Sequence, residues 1–534
     1  MLLARLILSM AVGAAATAGM AQDSLLLRDY SFVKQADPWL TSGNAAGLTR
    51  LATRNMAEAE LSLTKANGGL TDFYVSPNSL QLNAAIESFY RLSSRTVVFG
   101  AISYNNFSGR NMAGSTFISP EHKPFDIIEN NTDNSVTKHR DTYRLTGAVG
   151  TTLFKNLSGG LQLDYTAANY AKYKDLRHKN MLLDMTFVAG VYWSASQVFQ
   201  VGADYQYRRS TESLSFRTYG SSDKVYESFI NYGPYIGKVE QFGTTGYTDK
   251  SHEMPLVDNY HGGALQFTIH TAPLTFYNSA EYAHRTGYYG RRSPYTISYS
   301  AHRSNVYKDH ARLTYRSTTM LHALDFILAI ENLQNEANTF RELQNDNGAN
   351  YYEYYDPVKT ANRLWADWSL TYTAQLGIRH ELPTWTLQAG FAHNQRKQTA
   401  YQYPYYRRQQ LSANTLFAAA THNLLTRHGV WTLSLNMAYR KGTGDPFSDQ
   451  TFATPSEKQT APATMDTYLY RDYRYFTAPQ LSVGGSVKYA FLLPATKLRL
   501  HVKAAAGYRT TNETNEYCDG NHHTQATLAV GCCF

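Results

Sequence analysis

The sequence contains only three cysteines, Cys518, Cys532 and Cys533, among its 534 residues. Exported proteins that are held together by disulfides carry many more cysteines for their length. Cys532 and Cys533 are adjacent and would face opposite sides of a strand, whereas Cys518 would lie a whole strand length away from them. We therefore expect no disulfide framework, and we expect these side chains to serve in packing or to remain thiols.

Long apolar runs are also missing. Beyond the first residues, the chain has no run of about 18 apolar residues, which is the length that a transmembrane helix requires. Two classes of protein remain compatible with this absence, an exported soluble protein and a membrane barrel. A barrel needs no long apolar run, because a barrel strand exposes only alternate residues to lipid.

The common catalytic motifs are absent as well. No G-x-S-x-G motif is present that would hold a serine nucleophile, and no H-E-x-x-H motif is present that would bind zinc. Four histidines fall in segments that we expect to be loops, and no spacing ties them to a nucleophile: His252, His261, His284 and His302. We predict no catalytic residues, and an outer-membrane hydrolase is the enzymatic alternative.

Two loop segments carry side chains that bind metals in other proteins. The segment Cys518–His523 combines a thiol, a carboxylate and imidazoles, which suits a soft divalent metal. The acidic and amide-rich segment Glu342–Asp356 offers oxygen ligands of the kind that bind calcium. Because neither spacing matches a standard zinc or calcium pattern, we predict solvated loops, no metal site and no cofactor.

The N-terminus has the pattern of a secretory signal peptide. Arg5 precedes an apolar run from Leu6 to Ala18, and small residues up to Ala21 form a cleavage site. The run is shorter than a membrane-spanning helix, which argues against the alternative of an N-terminal anchor. We predict a signal peptide over residues 1–21 and export of the chain.

Tyrosine is abundant, with 42 Tyr against 24 Phe and 6 Trp. Tyrosine is favoured where one end of a side chain is apolar and the other is wet, as at a membrane–water interface. A tyrosine-rich, carbohydrate-binding sandwich is the alternative explanation of this composition.

Strict alternation of apolar and polar residues recurs from about residue 57 onward. In the segment 481–491, for example, Leu481 and Val487 fall on one face of a strand, and Ser482 and Lys488 fall on the other. Such runs exceed the usual soluble strand of about 5–6 residues and match the roughly 9–11 residues of a tilted membrane strand. We therefore predict an all-β fold, a transmembrane antiparallel β-barrel.

The connections alternate between short turns and long polar loops, as in bacterial outer-membrane proteins. Short-turn hairpins, a first strand near 57–66 and a final strand give about 18 strands, within a range of about 14–20. We predict long connections near 108–140, 213–258, 288–303, 339–359, 399–405, 443–471 and 512–522. The connection 213–258 is long enough to hold an extracellular hairpin.

The final strand carries apolar residues at alternate positions and ends in an aromatic residue: Leu528, Val530, Cys532 and Phe534. This pattern resembles the assembly signal of bacterial outer-membrane proteins, which the barrel-assembly machinery reads. We expect the final strand to pair with the first, so that the closed barrel has no edge.

Residues 22–56 do not alternate, so we divide the chain into a signal peptide (1–21), an N-terminal periplasmic or hatch segment (22–56) and an outer-membrane barrel (57–534). The hatch segment contains a turn-like run of small residues: Ser42, Gly43, Asn44, Ala45, Ala46 and Gly47. This run resembles the asparagine-proline-alanine turn of fatty-acid-transporter-like barrels, although it lacks the proline. In that family the N-terminal segment folds into the barrel as a hatch. A short surface helix is the alternative for residues 44–55.

The chain length and the tyrosine-rich loops also resemble a family of outer-membrane β-barrel proteins of Bacteroidota. That resemblance implies a fold and a location, and it implies no particular activity.

Charges of opposite sign fall on the expected lumen face of different strands. The basic group is Lys488, Lys497, Arg499, His501 and Lys503, and the acidic group is Asp164, Asp184 and Asp204. Two walls of opposite charge would create a field across the lumen that orients dipolar solutes. Alternatively, these charges pair with one another or with the hatch.

Together these patterns predict a channel or transporter for a small or apolar solute in a Gram-negative outer membrane, gated by the N-terminal segment. The alternative is a non-conducting barrel that serves as a scaffold or docking partner for a surface lipoprotein or a secretion system. Loop segments rich in Tyr and Arg, such as 401–410 and 468–476, suit lipopolysaccharide phosphates or a docking partner. We expect outer-membrane lipid, lipopolysaccharide and the barrel-assembly machinery as partners, and no nucleic acid.

Overall fold

The computed structural model describes residues 29–53, 55–129, 135–220, 223–243, 246–493, 496, 498–513, 516–518 and 520–534. The predicted signal peptide, residues 22–28 of the predicted hatch segment and Lys497 of the predicted basic group lie outside these residues. Within the described residues, no helix combines the length and the apolar character needed to cross a membrane.

Strands account for most of the described chain. In chain order they are β1 Asn55–Asn67, β2 Asn78–Arg91, β3 Thr96–Met112, β4 Asp126–Glu129, β5 Val136–Phe154, β6 Leu157–Lys172, β7 Arg177–Ser194, β8 Phe199–Arg217, β9 Glu227–Asn231, β10 Ile236–Gln241, β11 Met254–Thr271, β12 Leu274–Ser293, β13 Thr296–Arg316, β14 Met320–Ala337, β15 Phe340–Gln344, β16 Asn350–Tyr354, β17 Val358–Leu376, β18 Trp385–Gln402, β19 Tyr405–Thr426, β20 Gly429–Gly444, β21 Ser448–Thr451, β22 Ala463–Thr464, β23 Gln480–Leu492, β24 Arg499–Thr510 and β25 His522–Cys533. The helices are α1 Tyr30–Ala36 and α2 Asp466–Thr477, and 3-10 turns cover Pro38–Leu40 and Ala45–Arg50.

Eighteen of these strands form a closed antiparallel barrel, which confirms the predicted fold class. They are β1–β3, β5–β8, β11–β14, β17–β20 and β23–β25, and each pairs with its neighbour in this order. Closure comes from β1 and β25, with Leu61 opposite Val530 and Glu58 opposite Cys533. The short β21 extends the same sheet by pairing with the end of β19, and it does not enter the ring.

The outward face of the barrel is apolar. Leucines that alternate with lumen-facing residues remain largely exposed, as in Leu265 at 66%, Leu435 at 60% and Leu528 at 65%. A soluble protein rarely leaves so much apolar surface open to water, whereas a barrel strand presents it to lipid. The chain is therefore a membrane-spanning barrel of the outer-membrane type.

Two predicted loops are wrong. The stretch 288–303 belongs to β12 and β13, which turn at residues 294–295, and the stretch 399–405 contains only a tight turn at residues 403–404. The strands continue past the membrane because their inner faces, including Tyr289 and Tyr299, pack against residues that fill the barrel mouth. Three histidines expected in loops also lie on strands: His261, His284 and His302.

Insertions fill the mouth at the long-loop end. The hairpin expected within 213–258 is present as β9 and β10, which join β4 and β22 in a four-stranded sheet. This sheet and α2 form what we call the cover. Phe229 and Ile230 of the cover are fully buried, and Ile230 packs in one cluster with the lumen-facing Leu256 and Ala400. By the rule for outer-membrane barrels, the long-loop end faces outward and the short-turn end faces the periplasm.

Candidate functional site

Residues 29–53, which we call the hatch, occupy the lumen at the short-turn end. Each of its three turns begins at a residue whose side chain accepts a hydrogen bond from a main-chain N–H two or three residues further on: Asp29, Asp37 and Asn44. Such caps satisfy the first free N–H groups of a helical turn. The sequence therefore specifies the three turns locally, and their position depends on the barrel wall.

Asn44 ties the hatch to the wall. This side chain is fully buried, and its Nδ2 donates to the main-chain oxygens of Val191 at 2.9 Å and Ala203 at 3.3 Å. The same amide donates to Oε1 of Gln266 at 3.1 Å. One side chain thus connects the hatch to β7, β8 and β11.

The wall that receives this turn is lined by glycines on four neighbouring strands: Gly150, Gly160, Gly190 and Gly202. A Cβ at Gly160 would lie 2.2 Å from the main-chain N of Ala46, and a Cβ at Gly190 would lie 2.3 Å from Oδ1 of Asn44. No other residue type leaves room for the turn to reach the main chain of the wall.

Trp39 is the apolar anchor of the hatch. It is 1% exposed, and its ring packs edge-on against Tyr192 and Tyr277 with centroid distances of 4.8 and 5.6 Å. Its Nε1 donates to Oγ1 of Thr268 at 2.8 Å, so the indole N–H is satisfied. A buried aromatic with a satisfied N–H contributes several kcal/mol of packing, on the order of 3–5 kcal/mol for Trp→Ala.

Partly exposed charged groups complete the contacts of the hatch. Lys34 Nζ lies 2.7 Å from Glu87 of β2, and Arg50 Nη1 donates to the Tyr192 hydroxyl at 2.9 Å. From the wall, Arg312 donates to the main-chain oxygen of Gln35 at 3.0 Å. Such exposed pairs contribute only about 0–1 kcal/mol each.

A cleft of about 470 Å³ lies between the hatch and the strands β8 and β11–β14. Its hatch side includes Asp37 and Arg50, and its wall side includes Gln200, Thr275 and Arg312. The cleft places polar groups beside the contacts that hold the hatch, so a small displacement of the hatch would enlarge it.

At the opposite end, a buried charge network on strands β11–β14 contacts the segment that leads to β4. Arg285 is 2% exposed and lies 2.8 Å from Asp258 and 3.0 Å from Glu331. Nδ1 of His122, from the segment that leads to β4, lies 2.7 Å from Glu331, and His302 lies 2.6 Å from Asp258. Buried charges without such partners would be strongly destabilising, so these groups stay paired, and Glu331 joins the segment before β4 to the wall.

Further ion pairs repeat this arrangement around the mouth. Lys123 lies 2.9 Å from Glu212 of β8, and Arg396 of β18 lies 2.6 Å from Asp472 of α2. Lys172 of β6 pairs with Glu129 of β4. The cover therefore contacts several strands through paired charges.

Between the hatch and the cover, charged side chains on the lumen face are only partly buried. Arg208 pairs with Asp184 at 2.7 Å and keeps 45% of its side chain exposed. Lys308 pairs with Glu281 at 2.8 Å and keeps 53% of its side chain exposed. Paired charges of both signs thus lie on the lumen face and keep part of their surface accessible.

The predicted acidic group faces the lumen, and each member has a donor. Asp164 accepts from Thr146 at 2.7 Å, Asp184 accepts from Arg208, and Asp204 accepts from Gln266 at 2.5 Å. These hydrogen bonds spread over neighbouring strands, so the carboxylates are not an isolated negative surface.

The described members of the basic group also face the lumen. Lys488 and Lys503 lie directly opposite each other on β23 and β24, and Arg499 lies opposite Cys533. His501 Nε2 is 3.3 Å from Glu60 Oε2 on β1. The closure of the barrel therefore brings carboxylates of β1 against the basic group, an adjacency that sequence reasoning missed because it joins the two ends of the chain.

The four histidines considered for catalysis hydrogen-bond to aspartate, tyrosine or asparagine side chains, and the contacts are His252–Asp249, His261–Tyr205, His284–Asn305 and His302–Asp258. The segment Glu342–Asp356 contains the end of β15 and all of β16, which form an exposed hairpin in which Arg341, just before the segment, pairs with Glu353 at 2.8 Å. No disulfide joins the three cysteines.

The architecture defines a class, that of outer-membrane β-barrels with an internal hatch and an outer cover. Within that class the chain belongs to the family described as Family of unknown function (DUF6850), whose pattern matches residues 45–534. The sequence matches no curated protein. A Bacteroidota origin stays a prediction.

Several solved structures share the barrel architecture at low identity. The outer membrane transporter YddB from Escherichia coli has a TM-score of 0.41 and 8% identity, over 91% of this chain and 81% of that one. BauA, the ferric preacinetobactin receptor from Acinetobacter baumannii, has a TM-score of 0.38 and 8% identity, over 90% and 80%. A mutant of TodX, a monoaromatic hydrocarbon channel, has a TM-score of 0.30 and 10% identity, over 92% of each chain. The likeness concerns the fold alone.

Proposed function

We propose that this protein is a gated outer-membrane channel or transporter for small polar solutes, with the hatch as its periplasmic gate. The observation that carries the proposal is that Arg208 and Lys308, charged side chains on the lumen face between hatch and cover, remain about half exposed. A barrel that serves only as a scaffold has no need of a charged aqueous interior.

The lining favours polar over apolar solutes. Paired charges such as Asp184 with Arg208 and Glu281 with Lys308 offer donors and acceptors on neighbouring strands of the lumen wall. Hydroxyl-rich or zwitterionic molecules can exchange hydrogen bonds with such pairs, whereas an apolar molecule would have to displace their water. The resemblance of the hatch turn to fatty-acid-transporter-like barrels is the support for an apolar solute.

The contacts of the hatch suit a gate. Asn44 and Trp39 provide a defined docking position, and the peripheral ion pairs are weak, so opening costs a limited free energy. The cleft beside Arg312 separates part of the hatch from the wall on that side.

The test is liposome swelling and single-channel recording with the full chain and with a variant that lacks residues 29–53. We expect sugars and amino acids to pass faster through the deletion variant, with larger conductance steps. A reversible lock gives the matched test without deletion, because Thr49 Oγ1 and Ser158 Oγ are 3.2 Å apart. With both replaced by cysteine, oxidation should lower flux and reduction should restore it.

A second candidate function is a non-conducting scaffold or docking partner for a surface lipoprotein or a secretion system. The observation that favours it is the aromatic rim of the long-loop end, where Tyr295, Tyr403 and Phe452 are 61%, 67% and 58% exposed. If neither the deletion variant nor the reduced cysteine pair conducts while the barrel stays folded in lipid, the channel proposal fails and the scaffold is favoured. Contacts with lipopolysaccharide, outer-membrane lipid and the barrel-assembly machinery are proposals that either function accommodates.

A further inference from the structure

Three side chains that commonly bind transition metals meet on the lumen side of the barrel closure. Glu58 of β1, His501 of β24 and Cys533 of β25 each place one ligand atom within 4.8 Å of the others. Cys533 Sγ lies 3.5 Å from Glu58 Oε1, and the His501 ring is buried. Glu58 lies near the start of the chain and the other two lie near its end, so no local sequence motif contains all three.

The strand register explains why they meet. Glu58 and Cys533 are directly opposite, and one step along the lumen face His501 is opposite Gly531, which is itself opposite Glu60. A Cβ at Gly531 would lie 2.4 Å from Cε1 of His501. The glycine therefore lets the imidazole lie across β25 towards the carboxylates of β1.

We propose that Glu58, His501 and Cys533 bind a zinc ion or a similar borderline-soft divalent cation. Thiolate, imidazole and carboxylate are the three ligand types of protein zinc sites, with bond lengths of about 2.0–2.3 Å. Tetrahedral geometry at these lengths places ligand atoms roughly 3.3–3.8 Å apart, so the trio needs only small side-chain rotations. The sulfur and nitrogen ligands disfavour calcium and magnesium, which take oxygen ligands.

Glu60 supports the site from the adjacent position. Its Oε2 lies 3.3 Å from Nε2 of His501, so it is placed either to orient the ring or to become the fourth ligand. A carboxylate behind a ligating imidazole fixes the ring orientation and raises its basicity.

The surrounding charges are compatible with a divalent cation. Glu58, Glu60 and a Cys533 thiolate are negative, and the ion together with Arg499, which lies opposite Cys533, balances them. Lys488 and Lys503 lie further along the lumen and add positive charge, which lowers the affinity relative to an isolated site.

Such an ion would cross-link β24, β25 and β1. These are the strands at which the two ends of the chain close the barrel. Because the ligands come together only in the closed barrel, binding would stabilise the folded form by mass action. This inference does not depend on the channel proposal.

The experiment uses the full folded chain in detergent. We expect one zinc ion per barrel by calorimetry, and cobalt in place of zinc should give a thiolate-to-cobalt charge-transfer absorption. Cys533→Ser should abolish that absorption and weaken zinc binding at least tenfold. Cys532→Ser is the matched control, because this neighbour faces outward and should leave both signals unchanged.

A second measurement uses the unmodified chain, so its result does not depend on whether the variants fold. Zinc should slow alkylation of Cys533 and leave the rate at Cys518 unchanged, as read by mass spectrometry of each cysteine. Equal alkylation of Cys533 with and without zinc would overturn the proposal. So would a loss of zinc binding in Cys518→Ser, because that result would assign the ion to the loop segment Cys518–His523.

Discussion

The side-chain amide of Asn44 donates to the main-chain oxygen of Val191 at 2.9 Å. The acceptor belongs to the main chain of a barrel strand, and such an acceptor is reachable only where side chains are absent from the wall. Gly190 and Gly202 provide that opening on either side of Val191 in the β7–β8 ladder. The docking position of the hatch is therefore specified by one amide and by the glycines that admit it.

Replacing Asn44 should loosen the hatch. Asn44→Ala removes the cap of the third hatch turn and three donated hydrogen bonds, each contributing about 1 kcal/mol. We expect the open probability in single-channel recordings to rise about tenfold or more. Thr41→Ala is the control, because the exposed Thr41 hydroxyl bonds only within its own turn. Equal open probability in both variants would show that Asn44 does not hold the gate.

A single methyl group on the wall should have the same effect. Gly160→Ala would bring a Cβ to 2.2 Å from the Ala46 main-chain N, so the hatch turn must move away. We expect greater liposome permeability with barrel folding retained. Gly507→Ala is the matched control, since Gly507 also faces the lumen and a Cβ there meets no atom within 4 Å. Greater permeability in both variants would argue against a specific docking surface.

The basic group should influence ion selectivity. Lys488→Gln with Lys503→Gln removes two positive charges from one face of the lumen, which should shift the reversal potential in a salt gradient towards cation preference. Lys441→Gln removes a charge from the outward face of β20 and should leave the reversal potential unchanged. An identical reversal potential in all three proteins would place the conducting path away from β23 and β24.

Stability of the cover should depend on pH through Asp126 of β4. Burial raises the pKa of Asp126 to about 7 from an ordinary 3.8, although Ser115 and the Ile127 N–H donate to it. The stability that the protonated form contributes is fully present below about pH 3.8 and is lost as pH rises through about 7. Protection of the cover amides, expressed relative to the intrinsic exchange rate at each pH, should therefore be lower at pH 8 than at pH 5. Asp126→Asn should remove this difference, and a difference that persists in Asp126→Asn would assign it to another group.

A charged side chain on the lipid-facing surface of the barrel should be destabilising. Leu435→Lys places an ammonium group in the middle of β20 on the lipid face, with an expected cost of about 2–4 kcal/mol in unfolding from liposomes. Asn436→Lys places the same group on the lumen face one residue further on, where water is available, and should cost little. Equal costs for the two variants would contradict the assigned orientation of the strands.

The barrel could be predicted from the sequence because its signal is periodic and local. Alternation such as that of Leu481, Ser482 and Val487 indicates the two faces of a strand. Short connections such as that between β2 and β3 indicate hairpins. Wrong predictions arose where strands extend beyond the membrane, at 288–303 and 399–405. Residues there are polar like a loop, and only the cover packed against their inner faces keeps them paired.

The candidate site was predictable in part. Asn44 and its neighbours were singled out because their run of small residues resembles the hatch turn of fatty-acid-transporter-like barrels. Other parts of the site depend on contacts between residues that are distant in the sequence. These are the wall glycines that Asn44 packs against, the pairing of Arg285 with Asp258 and Glu331, and the contact of His501 with Glu60. Contacts of that kind leave no local pattern to read.

Sequence alone determined which side chains of a strand face lipid and which face the lumen, because successive side chains in a strand point to opposite faces. It also determined where helical turns begin in the hatch, since a capping side chain acts within three residues. Only the tertiary structure decided how the cover fills the mouth at the long-loop end, and which charges face one another inside. Those outcomes depend on the closure of eighteen strands, which fixes the distance between residues that chain connectivity leaves unrelated.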